Sequence, residues 1–120
     1  MFAPSLRRLA NVAGVILTLF AGTLVRAQEA WMVVTHEVED FDLWKEVFDQ
    51  ALPTRRAVGE MSFHILDNPD NRNLVTVWFE WNTMENAKAF ASDPILLNGM
   101  AAAGVISRPI FTYCAIEPTN

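Results

Sequence analysis

Cysteine occurs once in these 120 residues, at position 114, and histidine twice, at 36 and 64. A single thiol cannot close a disulfide within the chain. No basic neighbour stands beside Cys114 to lower its pKa, so a small hydrophobe buried on a strand is expected there rather than a reactive thiol. A metal site is not expected, because none of the three groups has ligand spacing. On an extended strand His36 and Glu39 point to opposite faces, and Glu37 also points away from His36. No glycine-rich phosphate loop is present either, which is consistent with cofactor-free chemistry without being evidence for it; no cofactor is expected. Positive charge is scarce, with 9 Lys and Arg against 14 Asp and Glu. Phosphate binding needs concentrated Lys and Arg, which argues against nucleic acid and anionic lipid as partners.

The one long apolar run lies at the start. Arg7 and Arg8 precede an uncharged stretch from Leu9 to Val25, and Val25-Arg26-Ala27 places small residues at the −3 and −1 positions of a cleavage site. This pattern predicts a cleaved signal peptide over 1–27 and a mature domain over 28–120 in the periplasm or outside the cell. The competing reading is a retained anchor, since the run reaches the lower limit for crossing a bilayer. No cysteine follows it to carry a lipid. Cleavage would remove three basic residues and no acidic one, leaving a formal charge of −8. Removing 27 of the 120 residues leaves a mature length of 93, which supports one domain with a modest core, and no membrane contact is expected after signal removal.

The rest of the sequence reads as six elements. Trp31 to Val38 is β-branched and apolar, which predicts a strand. Phe41, Trp44 and Phe48 then recur at helical spacing, with Asp40 as N-cap, over Phe41 to Ala51. Pro53 limits that helix or opens a further turn, and Gly59 stops it. A second strand over Glu60 to Asp67 meets a turn at Asn68-Pro69-Asp70-Asn71, and the third is Leu74 to Trp81. Asn82 with Glu85 resembles a capping box for a helix to Ala91, and Asp93-Pro94 restarts the helix, ended by Gly104. Its apolar side is Ile95, Leu96 and Met100. A last strand covers Pro109 to Ile116.

The order βαββαβ predicts an α+β, ferredoxin-like fold, an antiparallel sheet with both helices on one face. Val75, Val77, Phe79 and Trp81 should share one face of the third strand, with Leu74 and Trp78 on the other. Apolar residues on both faces imply that the second face is also covered. A symmetric homodimer with two sheets face to face would cover it.

With its elements in this order, the chain resembles the dimeric α+β barrel superfamily, especially its small antibiotic-biosynthesis-monooxygenase-like proteins. The resemblance rests on Val34-Thr35-His36-Glu37-Val38, Asp40 to Asp49, Arg55-Arg56-Ala57-Val58-Gly59, Val77-Trp78-Phe79-Glu80-Trp81, Ala87-Lys88-Ala89-Phe90 and Ala103-Gly104-Val105. It implies a dimeric barrel over the whole mature chain, within a subgroup labelled cyclases or monooxygenase-like domains. Such relatives include cofactor-independent oxygenases, haem-degrading enzymes, isomerases and proteins without demonstrated activity. A haem-degrading role would need an axial ligand on a helix, and neither histidine falls on a predicted helix.

His36, at a strand end beside a helix start, is the candidate proton carrier, since imidazole titrates near neutral pH. The alternative is a structural histidine bonded to a backbone carbonyl or to Glu80. His64 reads as a surface or edge residue. Trp44, Phe48, Trp78 and Phe90 are candidates to line a pocket for a small apolar or aromatic molecule such as a phenol or quinone, with Phe79 and Trp81 beside them. Their competing role is plain core. Arg55 and Arg56 are expected to pair at the surface with Asp49 or Glu46, or with an acidic ligand. The functional expectation is a small-molecule-binding protein, either a cofactor-independent monooxygenase or isomerase, or a non-catalytic binding module.

Overall fold

The computed structural model describes residues 30–118. The expected signal peptide over 1–27 lies outside the described residues. Four strands, β1 (Ala30–Glu37), β2 (Glu60–Leu66), β3 (Leu74–Trp81) and β4 (Ile110–Ala115), form an antiparallel sheet in the order β2-β3-β1-β4. Each predicted helical region is two helices: α1 (Phe41–Gln50) with α2 (Leu52–Ala57), and α3 (Met84–Ala91) with α4 (Pro94–Ala102). Pro53 and Pro94 lie in the first turns of α2 and α4, where a proline nitrogen costs no hydrogen bond.

Alternation along the strands decides which residues enter the core. Met32, Val34 and His36 of β1 are buried on the helix side, with Val75, Val77, Phe79 and Trp81 of β3. Register places Val33 opposite Trp78 on β3 and opposite Thr112 on β4, all on the other face. That second face is mixed rather than uniformly apolar. Trp31, Val33, Trp78, Cys114 and Ile116 surround an apolar hollow of about 270 Å³. Thr35 and Thr76 lie beside them, hydroxyl to hydroxyl at 3.1 Å. His64 pairs in register with Trp78 and is exposed, as its surface reading expected.

Cys114 departs from expectation. It stands on a strand but is exposed, because its position in β4 puts it on the face the helices leave open. The cap of α3 also differs: Thr83, not Asn82, accepts the N–H of Asn86. Asn82 is held one residue earlier, its N–H donating to the Gly59 carbonyl at 2.9 Å. Gly59 has φ of 127°, and a Cβ there would lie 2.5 Å from the Asn82 side-chain oxygen, so both conformation and space require glycine.

Candidate functional site

Between the inner sheet face and the helices lies a small aromatic cavity of about 60 Å³. The strands contribute Met32, Val34 and His36, Val77 and Phe79, and Phe111; the helices contribute Trp44, Phe48, Phe90, Leu96 and Met100. His36 is the only titratable group in this lining. Its residue is 5% exposed, and neither ring nitrogen has a hydrogen-bond partner. The structural alternative of a bond to Glu80 does not occur, because Glu80 faces Trp31 on the opposite side of the sheet.

An unpaired buried imidazole is unusual, since buried polar side chains nearly always find partners. Burial lowers its pKa from 6.5 to about 4, because the apolar walls cannot solvate an imidazolium. At neutral pH the ring is therefore uncharged, with one N–H donor and one bare acceptor nitrogen.

Helix α1 sets the aromatic wall. Asp40 accepts the N–H groups of Asp42 and Leu43, which fixes the helix start and hence which side chains turn inward. Trp44, one turn on, meets His36 edge to face, with ring centres 5.8 Å apart at 71°. Phe48 stacks on Trp44 at 4.9 Å and 26°. Phe48 in turn meets Phe63 edge-on at 5.0 Å.

Behind Phe48 lies an ion pair that overturns the surface position expected for Arg55. Arg55 is buried, not at the surface with Asp49 or Glu46; Asp49 pairs instead with Lys45 at 2.6 Å. The Arg55 Nε donates to Glu60 Oε1 at 2.6 Å, its Nη1 donates to the Phe48 carbonyl at 2.6 Å, and its guanidinium lies 3.8 Å over the Phe48 ring. Arg56 is exposed. The five-residue separation of Arg55 and Glu60 has no helical or strand spacing. The Gly59 reversal brings them together, so only the glycine hinted at the pair.

Of the named candidates, the structure brings His36, Trp44, Phe48 and Phe90 into one cavity and leaves Trp78 out. Trp78 is 46% exposed and points away, as strand alternation requires. The buried indole N–H without a partner is that of Trp81, outside this lining. Met32, Val34, Val77 and Phe111 were missed as wall residues; their signal was shared parity with His36 on the inner face. A larger cleft of about 650 Å³ between α1 and the end of α4 is open to solvent, with Glu39, Asp40 and Glu46 along its sides. It holds none of the unpaired buried side-chain atoms.

No family model and no curated protein matches the sequence. Solved structures do match. SnoaB, a cofactor-independent oxygenase from Streptomyces nogalater, superposes with a TM-score of 0.63 at 17% identity, over 78% of this chain and 97% of that one. A protein of unknown function from Nitrosomonas europaea gives 0.60 at 16%, over 80% and 96%. A monooxygenase from the gene ActVA-Orf6 of Streptomyces coelicolor, in complex with nanaomycin D, gives 0.56 at 17%, over 78% and 91%.

The chain shares the α+β fold of these three proteins. At these identities the likeness carries architecture and not chemistry. The chemistry has to be argued from the cavity itself.

Proposed function

We propose that this protein binds a planar aromatic molecule beside His36 and oxidises it with dioxygen, without a cofactor. The observation that carries the reading is the uncharged, unpaired imidazole in a cavity otherwise walled by aliphatic, thioether and aromatic side chains. Such a site rewards a flat apolar body with one polar group aimed at the ring nitrogen. It also selects for acidity. A simple phenol, with a pKa near 10, would give up its proton to a group near 4 only at a cost of about 8 kcal/mol. A more acidic enol or hydroxyquinone-like compound fits better.

In the oxidation His36 accepts the proton and the substrate carbon keeps the electron pair. That carbanion adds to dioxygen, the resulting peroxide takes the proton back, and loss of water leaves a carbonyl. One CH₂ and one O₂ thus become C=O and H₂O. An isomerisation would use the same proton acceptor and return the proton to another carbon. SnoaB is described as a cofactor-independent oxygenase, which supports this class of reaction for the fold.

The low basicity of His36 favours a second reading, a binding module that performs no chemistry. Dithranol, a tricyclic dihydroxy ketone, separates the two. Oxygen uptake above its spontaneous rate, reduced about 100-fold or more by His36→Ala, is the result expected of a general base. Binding without oxygen uptake would establish the second reading. Equal uptake by both proteins would remove His36 from the mechanism.

The working unit in this reading is a homodimer exported from the cytoplasm. The apolar hollow around Trp31, Val33 and Trp78 supports the dimer, because such a patch is costly to leave wet. Native mass spectrometry of protein from the periplasm should show two subunits, each beginning at Gln28. Trp78→Lys should yield monomers; a wild-type mass of one subunit at micromolar concentration would refute the dimer.

A further inference from the structure

The cavity beside His36 is too small for the ligand class just proposed. Its volume is about 60 Å³, whereas an apolar cavity that admits benzene measures about 150 Å³. Any aromatic ligand must therefore displace a wall, and the walls differ in how firmly they are held. The sheet is fixed by its ladder. Helix α1 is fixed at several points: Asp40 caps it, the Phe41 N–H donates to the Asn73 side chain, Trp44 is buried, and Arg55 holds the Phe48 carbonyl.

Helix α4 has little of this along its length, and its anchorage is at its far end, where the Glu39 N–H donates to the Gly104 carbonyl at 2.8 Å and the Ile106 N–H to the Glu37 carbonyl at 2.9 Å. It contains no buried residue, and Asp93 bonding to the Ile95 N–H is its one side-chain cap. Its apolar side chains point in every direction. Ile95 and Leu97 are 71% and 51% exposed, while Leu96 and Met100 face the cavity. A helix without a strong apolar side loses little burial when it shifts. Gly99 weakens its middle, and Gly104, at φ of 80°, follows its end.

We propose that α4 is the moving wall of this site, and that Leu96 and Met100 set the size of the aromatic ligand it accepts. Met100 suits the role because an unbranched thioether can repack around ligands of different outline. The inference rests on the reading of the His36 cavity as the binding site, and the test keeps the two apart.

Two probes are compared, phenol and 1-naphthol, with the His36 ring and the Met100 methyl observed by NMR and α4 observed by amide hydrogen exchange. The amides of 97–102 should exchange faster than those of α1, and 1-naphthol should slow them. Met100→Ala should tighten 1-naphthol binding about tenfold while changing phenol less than threefold. Leu96→Val, a milder change, should shift the same ratio in the same direction and serves if the first variant does not fold. Gly99→Ala, whose added methyl meets nothing within 4 Å, should slow 1-naphthol entry severalfold by stiffening the helix. If a probe shifts the His36 ring but neither wall variant alters the size ratio, α4 is not the selecting wall and the site reading stands. If neither probe reaches His36 in any of the proteins, both readings fall.

Discussion

Replacing Glu60 with alanine is expected to destabilise the protein by about 3–5 kcal/mol, the usual cost of leaving a buried charge without its partner. The Glu60 side chain is 0% exposed and that of Arg55 is 5% exposed, so water cannot take over the lost bond. The consequence should reach the site, because the same guanidinium lies over Phe48 and holds its carbonyl. Urea unfolding reads the stability, and the ring-current shift of the Trp44 indole reads the position of Phe48. Replacing both partners, Arg55→Met with Glu60→Leu, should recover much of the loss, because no uncompensated charge then remains inside. A Glu60→Ala protein within 1 kcal/mol of wild type would mean that water reaches the pair.

That pair also marks where the sequence stopped being readable. The helix side of the sheet was legible because alternation is a local property: one strand, β3, carries Val75, Val77, Phe79 and Trp81 at period two, and all four are buried. The α1 stripe was legible for the same reason, with Asp40 as its start signal. His36 and Trp44 could be nominated together because a strand end and the next helix start are close in any βα unit. Arg55 could not be placed, since its burial depends on a glycine reversal and on three aromatic side chains from other elements, Phe48, Phe63 and Phe79. Trp78 was grouped with the pocket on residue type alone, although its own strand parity already set it on the other face. The size of the cavity was not legible at all, since it depends on how closely α4 approaches the sheet.

Acid should weaken the fold through His36 in a defined window. In the unfolded chain the imidazole titrates near 6.5; in the folded protein burial holds it at about 4. Between those values the unfolded state binds a proton that the folded state refuses, so stability falls as pH falls. Above about 6.5 both states are neutral and the contribution is flat; below about 4 both are charged and the loss is complete. The full loss attributable to this residue is at most about 3 kcal/mol, and at pH 5 it is about 2 kcal/mol. Urea unfolding of wild type and His36→Gln at pH 7, 5 and 4 isolates the term as the difference between the two slopes. Identical slopes, or a His36 ring that titrates near 6.5 in the folded protein, would show that the cavity is wet and the imidazole already solvated. The same titration bears on mechanism. A ligand that gives its proton to His36 leaves an anion against the imidazolium, and that charge must raise the ring's pKa in the complex. A ligand that only fills the cavity removes any remaining water and must lower it. The direction in which dithranol moves the His36 titration therefore distinguishes a proton acceptor from a packed wall before any product is measured.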